Sequence, residues 1–159
     1  MEPMLAIVCP GQGSQTPGFL ASWTEDAGAA ELLASLSETT GLDLATLGTE
    51  ADEETIKDTA HAQPLIVAAG VLSASALSLP DMNPDRVIVA GHSVGEITAA
   101  HVAGVLSAEH AGSLVRVRAT EMATAAAAEP TGMAAVLGGD QDEVADALTA
   151  HGLTPANVN

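Results

Sequence analysis

The stretch VIVAGHSVGEITAAH, residues 87–101, constrains the fold more than any other part of the chain. Four apolar, mostly β-branched residues run directly into Gly-His-Ser-Val-Gly, and the residues that follow have helical character. A strand that turns at once into a helix is typical of a layered α/β domain. The Gly-x-Ser-x-Gly pattern at this junction predicts a nucleophile elbow, in which Ser93 lies on a strained turn with an exposed hydroxyl.

The residues around Ser93 each have a steric or electrostatic reason to be there. Gly91 and Gly95 would let the strand and the helix approach without Cβ clashes. The amide of Val94 lies at the start of the next helix, where the helix dipole favours a developing oxyanion. His92 cannot be the base for Ser93, since adjacent side chains on a tight turn diverge, so we expect it to give structural support. The alternative is an ordinary strand-to-helix loop with small residues where space is tight.

The rest of the chain alternates between strand and helix patterns. This order, β, α, α, α, β, α, predicts an α/β domain with a parallel sheet over residues 1–129, and a second, barely begun unit over residues 130–159. We expect strands at 4–9, 86–90 and 132–139, and helices at 25–40, 52–58, 63–78, 94–106, 108–128 and 140–152. The third of these helices would begin with its proline in the permitted first turn and would be buried nearly all round.

The charge balance excludes several classes of partner. The chain has 21 acidic and 4 basic residues, for a net charge of −17. This charge repels nucleic acids and anionic membrane surfaces, and we expect neither as a partner. No apolar stretch approaches the roughly 20 residues that span a bilayer, so a cytoplasmic location is expected. The single cysteine, Cys9, lies in an apolar run and is expected to be a buried strand thiol, and neither a metal site nor a cofactor is expected.

A second glycine-rich loop, PGQGSQ, covers residues 10–15 and directly follows the first strand. It is not a dinucleotide-binding loop, because Thr16 occupies the position where that fingerprint requires a further glycine. In an α/β-hydrolase-like arrangement, such a loop supplies the second amide of the oxyanion hole, and Gln12 is the candidate donor. The alternative is a plain tight turn.

One arginine of the helix at 108–128 is predicted to lie on its packed face. Arg118 falls within an apolar stripe, whereas Arg116 points the other way; the stripe is formed by Leu114, Val115, Met122 and Ala125. A guanidinium on a packed face needs an anionic partner. That partner is either a fixed carboxylate, such as Glu96 or Glu121, or the carboxylate of a substrate.

Three motifs in order resemble one enzyme family. PGQGSQ at residues 10–15, AQP at 62–64 and GHSVGE at 91–96 resemble the malonyl-CoA:acyl-carrier-protein transacylases and the related acyltransferase domains of polyketide synthases. The resemblance implies an α/β-hydrolase-like core with an inserted ferredoxin-like subdomain, which begins near residue 130. It further implies that malonyl-CoA acylates Ser93, and that the malonyl group then passes to the phosphopantetheine thiol of an acyl carrier protein.

The same resemblance assigns roles to four more residues. Gln12 and Val94 would supply the oxyanion-hole amides, Arg118 would bind the malonyl carboxylate, and Gln63 would lie close to the active site. Fatty-acid and polyketide synthesis are both possible pathways, and the complete enzyme is expected to be a monomer.

The general base is the missing component. None of the five histidines is convincing: His101 is about 12 Å from Ser93 along the same helix, and His61 is the least excluded. The resemblance implies that the catalytic histidine lies downstream of the ferredoxin-like subdomain, so the sequence is expected to be the N-terminal half of such an enzyme, and inactive alone. The alternatives are a serine thioesterase or esterase, and a binding domain that keeps the elbow without chemistry.

Overall fold

The computed structural model describes residues 4–77, 84–128 and 132–155. These residues divide between two compact units, residues 1–129 and residues 130–159. The elements in chain order are β1 (Leu5–Cys9), α1 (Ala21–Thr24), α2 (Ala27–Thr40), α3 (Leu44–Thr49), α4 (Glu53–Lys57), α5 (Thr59–Ala76), a 3-10 turn (Pro84–Arg86), β2 (Val87–Gly91), α6 (Gly95–Val102), α7 (Ala108–Ala128) and α8 (Gln141–Ala150).

The two strands form a small parallel sheet, which confirms the mixed α/β class. β1 pairs with β2 from Leu5 opposite Val87 to Cys9 opposite Gly91. One further hydrogen bond, from the His92 amide to the Cys9 carbonyl at 3.0 Å, continues the pairing past the end of β2. Because the strands are parallel, both end at the same edge of the sheet. The glycine-rich loop after β1 and the serine turn after β2 therefore start side by side.

Helix α5 is the centre of the larger unit. Its residues are buried on nearly every face, as predicted, and α2, α6 and α7 all pack against it. The fully buried apolar side chains of these helices include Leu65, Val67 and Leu72 from α5, with Leu33 from α2 and Val115 from α7. Each such side chain contributes about 1.5–3 kcal/mol when it is removed from water. This core fixes α5 and α7 relative to each other.

The start of α5 differs from the prediction. The helix begins at Thr59, because the Asp58 carboxylate accepts a hydrogen bond from the Ala60 amide at 2.7 Å and caps it there. Pro64 consequently lies inside the helix and not in its first turn. A proline in this position leaves the carbonyl four residues earlier without its helical donor.

Other boundaries shift by smaller amounts. Asp26 caps α2, because its carboxylate accepts a hydrogen bond from the Ala29 amide at 2.8 Å. The helix therefore begins at Ala27 and not at the predicted residue 25. Helix α6 ends at Val102, before the predicted residue 106, where Gly104 adopts a positive φ of 75°. The predicted helix at 108–128 is confirmed at both ends as α7. The short helices α1 and α3 were not predicted.

In the second unit, the predicted helix is present and the predicted strand is not. Asp140 caps α8 by accepting hydrogen bonds from the amides of Asp142 and Glu143. The strand expected at 132–139 is wrong, since within the described part of the chain this segment forms no strand pairing. A short apolar run alone does not make a strand, because the backbone groups need a neighbouring strand to bond. Met133 and Leu137 are 90% and 93% exposed.

The described ranges contain neither a membrane-spanning helix nor a metal-binding cluster. Within them, no helix is both long enough and apolar enough to cross a bilayer. The same ranges hold no group of three or more histidine, cysteine or acidic side chains that could bind a metal ion. Cys9 is buried at the end of β1, as predicted, and burial raises the pKa of its thiol above the ordinary value.

Candidate active site

Ser93 occupies a strained turn between β2 and α6. Its φ is 55°, and it is the single non-glycine residue with a positive φ among those described. A side chain in this left-handed region is unusual and costs energy. The predicted strained turn is therefore present, with Ser93 exposed.

The two glycines of the turn are sterically required. A Cβ on Gly91 would lie 2.4 Å from the carbonyl oxygen of Gly95. A Cβ on Gly95 would lie 2.2 Å from the carbonyl oxygen of Cys9, at the end of β1. Real Cβ atoms essentially never approach backbone this closely. The start of α6 thus packs directly on the end of the sheet, which holds Ser93 at that edge.

The first amide after Ser93 is free at the start of α6. Val94 is the N-cap residue of the helix and is fully buried. The next amides donate back into the turn, for example Gly95 to the His92 carbonyl and Glu96 to the Ser93 carbonyl. The Val94 amide itself has no hydrogen-bond acceptor among the described residues. A free amide at a helix N-terminus is suited to binding an anion.

The glycine-rich loop after β1 contacts the serine turn. A Cβ on Gly11 would lie 2.7 Å from Nδ1 of His92, so the loop and the turn touch at this point. The side-chain amide of Gln12 donates to the Lys57 carbonyl at 3.4 Å and to Thr59 Oγ1 at 3.3 Å. These bonds tie the loop to the start of α5. The backbone amide of Gln12 has no acceptor within the described part of the chain.

The structure brings Ser93, Arg118 and Gln63 together. Arg118 Nη2, on α7, donates to Ser93 Oγ at 3.0 Å. Arg118 Nη1 donates to the side-chain oxygen of Gln63, on α5. Gln63 is fully buried, whereas Arg118 is half-buried and Ser93 is exposed. A nucleophile, a cation and a buried amide thus meet at one point on the surface.

The predicted stripe on the helix of Arg118 needs correction, and the structure does not support the alternative of a fixed carboxylate partner. The buried face of α7 consists of Ala111, Gly112, Val115 and Ala119. These residues are mostly small, so α7 approaches its neighbours closely. Three residues of the predicted stripe lie outside this face and are exposed: Leu114, Met122 and Ala125. Arg118 borders the buried face and Arg116 is exposed, as expected. Across the described ranges, neither Glu96 nor Glu121 forms an ion pair with Arg118.

Met122 contributes a contact that the sequence did not reveal. The side-chain nitrogen of Gln63 donates to Met122 Sδ at 3.3 Å. The sequence pattern placed Met122 in the apolar stripe, although its side chain is 42% exposed. The only earlier signal was its position one helical turn after Arg118. The four side chains form a continuous line of hydrogen bonds from Met122 through Gln63 and Arg118 to Ser93.

No histidine among the described residues is hydrogen-bonded to Ser93. Nδ1 of His61 is 3.1 Å from the Thr55 carbonyl oxygen, and Nδ1 of His101 is 3.0 Å from the Leu106 carbonyl oxygen. Since a carbonyl only accepts, both rings donate from Nδ1 to backbone. The exposed His92 ring lies against Gly11, in keeping with a structural role.

The site thus consists of a serine on a strained strand-to-helix turn whose hydroxyl accepts a hydrogen bond from an arginine. The family model described as the acyl transferase domain matches residues 6–159. The chain therefore belongs to the acyl transferase domain family.

Within that family, the similarity is to malonyl-CoA:acyl-carrier-protein transacylases, which confirms the resemblance that the motifs indicated. The malonyl CoA-acyl carrier protein transacylase of Mycobacterium tuberculosis is 53% identical over 157 residues, which cover 98% of this chain and 52% of that protein. The crystal structure of MCAT from the same organism matches with a TM-score of 0.90 and 52% identity, over 98% of this chain and 52% of that one.

A third match shows a relative with its partner. It is a malonyl-transacylase in complex with a type II polyketide synthase acyl-carrier protein, with a TM-score of 0.78 and 32% identity over 92% of this chain and 48% of that one. The chain spans about half the length of the relatives it matches.

Proposed function

We propose that the chain carries the nucleophile and the malonyl-binding arginine of a malonyl-CoA:acyl-carrier-protein transacylase. The observation that carries this proposal is the 3.0 Å hydrogen bond between Arg118 and Ser93 Oγ. In the described ranges Arg118 has neutral partners and no carboxylate, so its charge is available to a substrate. A malonyl ester on Ser93 has its free carboxylate one methylene from the ester carbonyl, within reach of this guanidinium.

The proposed reaction has two acyl-transfer steps. Ser93 Oγ attacks the thioester carbonyl of malonyl-CoA, and the amides of Gln12 and Val94 donate to the oxyanion that forms. The C–S bond breaks, the malonyl group stays on Ser93, and coenzyme A leaves as the thiol. The phosphopantetheine thiol of an acyl carrier protein then attacks the ester carbonyl and releases Ser93.

The general base belongs to another part of the enzyme in this proposal. No histidine near Ser93 is in position among the described residues, and the relatives are about twice as long. We assign residues 1–129 to an α/β-hydrolase-like core and residues 130–159 to the start of a ferredoxin-like subdomain. The base would lie in the C-terminal half of a complete, monomeric enzyme that works in the cytoplasm, and the 159 residues alone would be poorly active.

Two other functions make different predictions. A serine thioesterase would pass the acyl group from Ser93 to water, and the charge of Arg118 disfavours this role because it fits an acid-bearing acyl group. A binding domain would hold malonyl-CoA without acylation, and this role is favoured for the isolated chain because none of the described histidines is hydrogen-bonded to Ser93.

The decisive test compares thiol with water as the acyl acceptor. The 159 residues would be joined to the C-terminal half of the Mycobacterium tuberculosis relative and supplied with malonyl-CoA, with and without a phosphopantetheine-bearing acyl carrier protein. We expect malonyl-carrier protein as the main product and little free malonate. Free malonate as the main product in both reactions would instead establish a thioesterase.

A further inference from the structure

We propose that Met122 is a positioning residue: its sulfur fixes the orientation of the Gln63 amide, which in turn aims Arg118 at Ser93. This inference rests on the proposed function, because it assigns Met122 a part in the preference for a carboxylate-bearing acyl group. It begins from one contact, the 3.3 Å hydrogen bond from Gln63 Nε2 to Met122 Sδ.

The two polar atoms of a glutamine amide differ chemically. Its oxygen only accepts hydrogen bonds and its nitrogen only donates them, so a rotation by 180° exchanges the two. The guanidinium of Arg118 only donates, and it therefore requires the oxygen of Gln63. A flipped amide would place donor against donor and push the guanidinium away from Ser93.

Met122 selects the same orientation from the other side. A thioether sulfur is a weak acceptor and has no proton to donate, so it accepts only from the nitrogen of Gln63. Arg118 and Met122 are four residues apart on α7, which places them on one face of the helix. The Gln63 amide thus lies across a single turn of α7. Its oxygen accepts from Arg118, which can only donate, and its nitrogen donates to Met122, which can only accept.

Burial makes the orientation of Gln63 important. The side chain is fully buried, and a buried amide nitrogen without an acceptor carries an energetic cost. Replacing Met122 by leucine keeps the apolar volume but removes the acceptor. The nitrogen of Gln63 would then have no acceptor in this orientation, and the flipped orientation would become accessible.

Equilibrium binding to the 159-residue chain tests the consequence for ligand preference. We expect Met122→Leu to weaken malonyl-CoA binding by about three- to tenfold, as for the loss of one hydrogen bond, and to change acetyl-CoA binding by less than about twofold. Met133→Leu, the same chemical change at an exposed site in the second unit, should leave both affinities unchanged. Equal weakening of both ligands by Met122→Leu would overturn the proposal.

A double-substitution cycle separates positioning from packing. In a Gln63→Leu background, Met122→Leu should have no further effect on the ratio of malonyl-CoA to acetyl-CoA affinity, because the amide through which it acts is gone. A full additional effect in that background would mean that Met122 acts independently of Gln63 and would contradict the proposal.

A ligand-free measurement keeps this inference distinct from the proposed function. In nuclear magnetic resonance spectra, Met122→Leu should shift the side-chain amide signals of Gln63 and also the guanidinium signals of Arg118. Unchanged Arg118 signals would overturn the relay even if malonyl-CoA binds. Conversely, if the unsubstituted chain shows no preference for malonyl-CoA while the Arg118 signals do shift, the relay stands and the proposed function fails.

Discussion

At the residue scale, the proposed preference for a malonyl group depends on the charge of Arg118. A half-buried guanidinium normally has a carboxylate beside it, but this one is hydrogen-bonded to a serine hydroxyl and a glutamine oxygen. Its neighbours orient the group without neutralising it. A substrate carboxylate that enters the site therefore gains a charge-assisted hydrogen bond and displaces no internal ion pair.

Arg118→Ala should damage malonyl transfer far more than acetyl transfer. The loss of a desolvated charge contact costs about 2–5 kcal/mol, and each 1.4 kcal/mol is a factor of about ten in kcat/KM. The measurement is kcat/KM for both thioesters in the full-length joined form. Arg116→Ala, an exposed arginine on the same helix, is the control and should behave like the unsubstituted enzyme. Similar losses for the two thioesters would show that Arg118 is structural.

The pKa of Cys9 predicts a pH dependence of stability. Burial raises the folded-state pKa of this thiol above its ordinary value of 9.0, so the folded state holds the proton longer than the unfolded state. The contribution of the neutral Cys9 thiol to the free energy of unfolding is complete below the pKa of the unfolded state. It is lost as the pH rises through the higher pKa of the folded state. The difference in unfolding free energy between the chain and Cys9→Ala should therefore shrink between about pH 7 and about pH 10. A constant difference would argue against a buried, neutral thiol.

At the scale of elements, the serine turn depends on how closely α6 approaches β1. The Cβ that Gly95 lacks would collide with backbone at the end of β1, and backbone cannot move aside as a flexible side chain can. The position of Ser93 is therefore set by the packing of a helix start on a strand end. The second glycine of the Gly-x-Ser-x-Gly motif is required by that contact.

Gly95→Ala should destabilise the chain by about 3 kcal/mol and displace Ser93, because the added methyl group has no space. Gly28→Ala provides the matched control, since the same change at this exposed position of α2 meets only an ordinary contact, with Asp26 Oδ1 at 3.4 Å. The free energy of unfolding of Gly28→Ala should rise by about 0.5–1 kcal/mol, because alanine has the higher helix propensity. Chemical denaturation of both variants measures the difference, and equal stabilities would refute the steric account.

The elements also show what the sequence could and could not predict. The helix at 108–128 and the strained turn at Ser93 were predictable, because a long helical run that stops before Pro130 and a short motif encode them. The start of α5 was missed because the capping hydrogen bond of Asp58 outweighs the preference of Pro64 for a first turn. The contact between Gln63 and Met122 could not be derived from local patterns, since it joins two residues that are 59 positions apart in sequence.

At the scale of the whole molecule, the parallel sheet is narrow for the helices around it. Among the described residues it has two strands, and apolar side chains on both remain exposed, with Val8 at 73% and Ile88 at 54%. Open strand edges and apolar faces favour association with further polypeptide. The matched relatives have about as many residues again beyond the region that this chain covers.

The joined full-length form should therefore be more stable than the 159 residues alone. Additional strands and helices would cover Val8 and Ile88, and each covered side chain adds about 1.5–3 kcal/mol. Thermal unfolding of the two forms, together with the burial of a probe at position 88, measures this effect. Equal unfolding temperatures and an exposed position 88 in the joined form would contradict it.

The central claim is that Ser93 accepts the malonyl group, and intact-mass spectrometry tests it most directly. The joined full-length form would be incubated with malonyl-CoA in the absence of a carrier protein, and the modified residue would be located by peptide mapping. The account predicts a single malonyl adduct on Ser93, absent from Ser93→Ala and discharged when a phosphopantetheine thiol is added. A malonyl adduct that persists in Ser93→Ala would contradict it.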